Sequence, residues 1–256
     1  MLKELLDRPV LLSLVSLLLL AAAAAVGAAL HQRRNPKGDP SRDDFGTILA
    51  ATLTLLGLII GFTFSMAVSR YDQRKNYEEN EANAIGTAFV RADLLPAADA
   101  AKLKALLKEY AEVRVDHYLA VDPARVAASG AHGAQLQAAM WEAVRGPAAA
   151  QPTPITGLVV ASVNDVLNSQ GYTQAAWWNR IPHAAWALML VIAVLGNLLA
   201  GYGASWSKVA PALLLVMPIL VSISFLLIAD IDSPRGGVIR VSPQNLHDLV
   251  RTLHGP

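Results

Sequence analysis

Four stretches of the chain contain no charged residue: Pro9 to Leu30, Gly46 to Ser69, Ala184 to Ser207 and Val209 to Ala229. Each is close to the roughly 20 apolar residues that carry a helix across a hydrocarbon core. Lipid offers no partner to a free N–H or C=O, so these stretches are expected as helices and not as strands. The third and fourth meet at Gly201 to Lys208, a turn short enough to make them a helical hairpin. Pro211 and Pro218 are placed to kink the fourth span, which membrane helices tolerate. The first stretch also has features of a secretory signal, with Lys3 ahead of it and alanines at 21–25. Its length, and Arg33 and Arg34 directly after it, favour a retained helix.

Between the second and third spans the pattern changes from uniformly apolar to amphipathic. Arg70 to Leu95 has no proline and extends the second helix beyond the bilayer as far as Pro96. Leu103, Leu106, Leu107, Tyr110 and Val113 recur at three-and-four spacing and predict a helix over about 97–120. Asp122 before Pro123 reads as an N-cap with proline at the first helical position. Ser129, Gly130 and Gly133 are expected to interrupt the helix begun there, leaving a shorter one over 135–144 and a loop over 146–154. Ile155, Leu158, Val159, Val163, Val166 and Leu167 mark another amphipathic helix, which Gly171 is expected to break. Trp177 and Trp178 beside Arg180 sit where an interfacial aromatic belt belongs. Asp230 to Gly237 is turn-rich, and Leu246, Leu249, Val250 and Leu253 predict a short closing helix. The expected architecture is an all-α membrane protein with four transmembrane helices. Residues 1–69 form the first pair (spans 9–30 and 46–69), 70–181 a cytoplasmic helical domain, 182–229 the second pair, and 230–256 a cytoplasmic tail.

Charge refines this picture. Lys3, Arg8, Arg70, Arg74, Lys75, Arg180, Arg235 and Arg240 lie on the side of the termini, against Arg33, Arg34, Lys37, Arg42 and Lys208 opposite. That balance places both termini and the central domain in the cytoplasm. Only 16% of residues are charged and the net charge is +1, which gives no basis for a nucleic-acid partner. There is no cysteine, so disulfides and thiolate metal sites are excluded. No phosphate-binding loop, nucleophile elbow or dinucleotide fingerprint is present, and no cofactor or enzyme activity is expected. The six histidines are scattered, and Asp230 with Asp232 offers too few oxygens for calcium, so turn capping is the better role for the pair. The spans carry no Asp, Glu, Lys or Arg, unlike most proton-coupled transporters.

The second span is distinctive. Thr54, Leu58, Phe62, Ser65 and Ser69 share one helix face, polar at its ends and apolar around Leu58 and Phe62. Around an oligomer axis this face would line a pore with a hydrophobic constriction; alternatively, Leu58 and Phe62 pack against neighbouring spans. Glu78, Glu79 and Glu81, with Asn80 and Asn83, come next at the cytoplasmic end. They either line an inner vestibule that attracts cations or form a solvated helix face offset by Arg74 and Lys75. Asn83 and Gly86 are also candidates for close helix packing.

The run Gly61-Phe62-Thr63-Phe64-Ser65-Met66-Ala67-Val68-Ser69-Arg70-Tyr71-Asp72 resembles the second membrane helix of bestrophins as it leaves the bilayer. Asp232-Ser233-Pro234-Arg235-Gly236 resembles the bestrophin stretch in which acidic residues precede Pro-Phe-Gly, with arginine replacing phenylalanine. Glu81-Ala82-Asn83-Ala84-Ile85-Gly86-Thr87-Ala88, then Arg91 to Pro96, is similar to the hallmark of a bestrophin-like bacterial family of unknown function. The likeness covers about residues 46–253 and adds Arg70, Tyr71, Asp72, Glu81, Asn83 and Gly86 as motif and packing positions. Bestrophins are pentameric ion channels whose second helices line the pore. The resemblance therefore implies a homo-oligomer, a pentamer, in a bacterial inner membrane, with inorganic ions as cargo; Glu78 and Glu81 near the inner mouth slightly favour small cations. Only Asp230 and Asp232 stand where calcium-gated bestrophins carry a dense acidic cluster, so calcium gating is not implied. The rival function is a membrane-anchored scaffold or sensor whose helical domain binds a protein partner.

Overall fold

The computed structural model describes residues 6–34, 42–204 and 211–255, and within them the chain is helical with no strand. Lys3, Lys37 and Lys208, three of the orienting charges, and the second half of the predicted turn between the last two spans lie outside the described residues. Among the described residues the α-helices run in the order α1 Pro9–Arg34, α2 Arg42–Arg91, α3 Ala97–Leu119, α4 Pro123–Ala150, α5 Pro154–Trp178, α6 His183–Ala204, α7 Val216–Asp232 and α8 Gln244–His254. Among the described residues four helical stretches are long and apolar enough to cross a membrane: Pro9–His31, one within Asp44–Leu94, one within Pro154–Ala204, and Ala212–Asp232.

The chain divides into two compact units, Met1–Arg70 with Arg180–Arg240, and Tyr71–Asn179 with Val241–Pro256. In the first, α1 packs along both α6 and α7. Glycine permits the approach. A Cβ on Gly27 would collide with the Leu198 carbonyl, and one on Gly201 with the Ala24 carbonyl. Without a hydrophobic driving force in lipid, such backbone-to-backbone contact is what holds helices together. Pro211 opens a 3₁₀ segment, Pro211–Leu215, and Pro218 falls in the first turn of α7. A first-turn residue has no intrahelical acceptor for its N–H, so the proline there costs no hydrogen bond.

The second unit is held by an apolar core that includes Ile85, Leu103, Leu107, Tyr110, Met140, Val159, Val163, Val166 and Leu246. α3 packs on α4, α4 on α5, and α8 on α3. A 3₁₀ turn, Ala92–Leu94, ends α2 just before Pro96, as the sequence predicts. Asp122 caps α4 by accepting from the Arg125 N–H at 3.0 Å. Thr153 and Thr156 cap α5 reciprocally, each hydroxyl taking the other's backbone N–H.

Two expectations are corrected. α4 runs unbroken through Gly130, Gly133, Gly146 and Pro147, where breaks and a loop are predicted. α5 likewise passes through Gly171. Each helical glycine costs only about 1 kcal/mol relative to alanine, and packing of α4 between α3 and α5 exceeds that. Trp177 is half-buried. It stacks on His117 at 5.4 Å between ring centres and meets Tyr118 edge-on at 5.1 Å. Trp178 projects outward, 75% exposed.

Candidate ion pathway and the charges beside it

α2 turns two different faces to its surroundings. In the first unit, Leu56, Thr63 and Ala67 are buried. Thr52, Leu53 and Leu56 lie against Gly196 of α6, where a Cβ would come within 3.4–4.0 Å of their side chains. On the other side Thr54, Leu58, Phe62, Ser65 and Ser69 are all exposed, Leu58 to 51% and Phe62 to 65%. The helix therefore brings the five predicted residues onto one open face. Leu58 and Phe62 do not complete the packing of their own chain's bundle. Only 6% of the most apolar window of α2 is buried, against 33%, 39% and 33% for the other spans.

In the second unit the inward side of α2 carries Arg74, Glu78, Glu81, Ile85 and Ala88, all buried. They recur at spacings of four, three, four and three, so they form one stripe. Glu81 is 0% exposed. Its carboxylate accepts from Arg114 through Nε and, at 3.2 Å, through Nη2. It also accepts from the Tyr118 hydroxyl at 3.3 Å and the Thr173 hydroxyl at 3.2 Å. Three helices thus converge on one carboxylate. Burial opposes the Arg114 charge, but Glu81 outweighs it and holds the guanidinium charged. Burial, and secondly the Glu81 charge, push the Tyr118 phenol well above its ordinary range. Tyr110 shifts upward for the same reasons, and its hydroxyl accepts from Gln137 at 3.0 Å.

Glu78 serves a different purpose. It accepts from the Leu246 N–H at 2.9 Å and from the Asn245 side chain at 2.7 Å. Pro243, at the N-cap of α8, has no side chain that can cap. Glu78 supplies that cap from a helix 168 residues away in sequence.

For Glu78 and Glu81 these contacts correct both the vestibule expectation and its solvated alternative, since neither faces solvent; Glu79, Asn80 and Asn83 are exposed. The ground for a cation preference at those two residues goes with it. Of the remaining motif positions, Arg70, Tyr71 and Gly86 are half-buried, and Asp72 and Asn83 are exposed. Gly86 faces Leu249 of α8, where a Cβ would stand 3.3 Å from Cδ1. A shallow cavity of about 530 Å³ beside it is lined by Asn83, Thr87, Arg91, Asn245 and Asp248 among others.

Asp230 and Asp232 hold turns, as expected. Asp230 accepts from the N–H groups of Val238 and Ile239 at 2.8 and 2.7 Å. Asp232 accepts from the Ile181 N–H at 3.1 Å and from Arg180 Nε at 3.2 Å, and Arg180 also pairs with Asp7. Among the described residues no three His, Asp or Glu side chains cluster to hold a metal.

Sequence reasoning missed Arg114, Tyr118, Thr173 and Asn245 as partners of these acids. The signal was phase. Arg114 continues the buried stripe Leu103, Leu107, Tyr110 on α3, as Glu81 continues the one ending in Ile85 and Ala88.

A family model described as a Bestrophin-like domain matches residues 18–246. No curated protein matches the chain. Among solved structures, a bacterial bestrophin homologue from Klebsiella pneumoniae superimposes with a TM-score of 0.66 at 14% identity, covering 94% of this chain and 96% of that one. A point variant of that homologue gives 0.65 at 14% identity, with 95% and 99% covered. A crystal structure described only as a membrane protein variant gives 0.67 at 14% identity, with 94% and 96% covered. At such identity these structures speak for the fold, while the match to the family model extends over most of the chain. By that match, the protein with the open face on its second span belongs to the bestrophin-like family.

Proposed function

We propose that the protein is one subunit of an oligomeric ion channel, a pentamer, in which α2 of each subunit lines the pore. The observation that carries this is the open face of the second span: Thr54, Leu58, Phe62, Ser65 and Ser69 are exposed together while the other spans pack on one another. A single subunit cannot enclose an aqueous path with one helix face, so several copies must surround it. Leu58 and Phe62 then form rings that constrict the path and close it by dewetting, and the hydroxyls of Thr54, Ser65 and Ser69 keep it wet on either side. Membership of a family of channel-type membrane proteins supports the same reading. The cargo is inorganic ions. The channel sits in a bacterial inner membrane with the Tyr71–Asn179 unit in the cytoplasm, as the lysine and arginine distribution favours.

Native mass spectrometry of the protein in nanodiscs, paired with ion flux into reconstituted liposomes, tests this. A five-subunit assembly with flux that rises in Phe62→Ala is expected. A monomer or dimer, or liposomes tight to ions with both wild type and Phe62→Ala, overturns it and favours the membrane-anchored scaffold.

A further inference from the structure

The open face of α2 does not end at Ser69. At 3.6 residues per turn, positions 54, 58, 62, 65, 69, 72, 76, 80, 83 and 87 fall in one line along an unbroken helix. Every residue on that line is exposed. Beyond Ser69 it reads Asp72, Asn76, Asn80, Asn83 and Thr87: one carboxylate, then amides and a hydroxyl. The neighbouring arginines are turned away. Arg70 and Arg74 each lie about 160° around the helix from Asp72, at about 100° per residue; Arg74 is buried and Arg70 half-buried. Lys75 and Glu79 are also exposed, about 60° and 20° around the helix from Asp72 on the edge of the line, and they offset one another at i,i+4 spacing.

Resting on the pore reading, we propose that Asp72 is the charge-selecting residue of the channel and that the cargo it admits is small cations. The sorting of charge around α2 carries this. This stretch of the helix holds Arg70, Asp72, Arg74, Lys75, Glu78, Glu79 and Glu81; of these Asp72 falls on the line continuing the pore face, while Glu79 at its edge is offset by Lys75. Repeated around an oligomer axis, it becomes an acidic ring one turn below Ser69, and acidic rings admit cations and repel anions. The amides beyond it add dipoles without charge, so they hydrate an ion without holding it. Glu78 and Glu81 contribute nothing to the ring, because their carboxylates are buried and spent on α8 and Arg114.

The test is the reversal potential of the reconstituted full-length protein in a KCl gradient, for wild type, Asp72→Asn, Asp72→Lys and, as a flank control, Glu79→Gln. Wild type is expected to favour potassium over chloride, Asp72→Asn to lower that preference severalfold, Asp72→Lys to reverse it, and Glu79→Gln, whose charge Lys75 offsets, to lower it less than Asp72→Asn does. A wild type that favours chloride, or an Asp72→Lys channel that conducts with unchanged selectivity, overturns the inference while leaving the pore standing. Absence of current in every variant, Phe62→Ala included, overturns the pore reading itself. Since the chain has no cysteine, Asp72→Cys supplies a second measurement without background labelling. Current through it should change on adding a cationic or an anionic thiol reagent, in opposite senses for cation flux. Full labelling with no change in current places position 72 outside the path.

Discussion

The inward and outward sides of α2 are built on opposite rules, although they belong to the same helix. The inward side buries whatever falls in phase with it: Leu56, Thr63 and Ala67 in one unit, then Arg74, Glu78, Glu81, Ile85 and Ala88 in the other. The outward side leaves everything exposed, including Leu58 and Phe62, which in a soluble protein would count as packing residues. Residue type therefore does not decide which side a position belongs to. Helical phase does. The inward side uses its side chains for stability, with Glu78 and Glu81 satisfied inside the chain. The outward side contributes nothing to the fold of the single subunit, which leaves it free for assembly and conduction.

That contrast breaks first at Glu81. Removing one partner of a buried ion pair strands the other charge and costs about 3–5 kcal/mol. Glu81→Ala leaves Arg114 buried and charged and removes the acceptor of the Tyr118 hydroxyl, so loss of folded protein, or a large fall in thermal midpoint in detergent, is expected. The double variant Glu81→Leu with Arg114→Met should recover much of that loss, since apolar replacement of such a pair is often neutral. A double variant no better than the single would show that the network does more than satisfy its own charges.

Glu78 sharpens the comparison at smaller scale. Glu78→Ala removes the cap of α8 and the Asn245 contact, an effect of about 1–2 kcal/mol. It should concentrate in the tail, so hydrogen exchange is expected to rise over 244–254 while the amides of α3 and α5 hold. Uniform acceleration across the unit would mean that Glu78 supports the core and not the tail alone.

Legibility in the sequence divides along the same line. The four spans were legible because some twenty consecutive residues without charge are rare in a soluble folded chain and ordinary in a membrane helix. The Asp122-Pro123 cap was legible because capping is local. The unbroken course of α4 through Gly130, Gly133 and Pro147 was not: a helix breaker costs a fixed amount locally, and the packing that outweighs it is set by α3 and α5. The outward stripe was found by spacing alone, since exposure needs no partner. Glu78 and Glu81 were misplaced because charge suggested solvent, although their phase with Ile85 and Ala88 pointed inward. Their partners, 33 to 168 residues away, could not be read from local pattern.

The smallest expected effect on stability falls on the outward side, and it separates the two rules most cleanly. Phe62 is largely exposed in the subunit, so Phe62→Ala removes no intrachain core, and the unfolding free energy of the isolated subunit should move by less than about 0.5 kcal/mol. Conduction should respond in the opposite way, because a ring of phenylalanines replaced by methyl groups widens and wets the constriction. Leu58→Ala is expected to show a smaller rise in flux, since leucine projects less far toward the axis. If Phe62→Ala instead destabilises the monomer as a core truncation would, by about 3–5 kcal/mol, then the residue packs within its own chain and α2 has one rule, not two. If it leaves the monomer unchanged and dissociates the oligomer without altering flux per assembly, the outward side is an adhesive face and the pore runs elsewhere. Stability unchanged with flux raised is the combination that only a pore-lining phenylalanine gives.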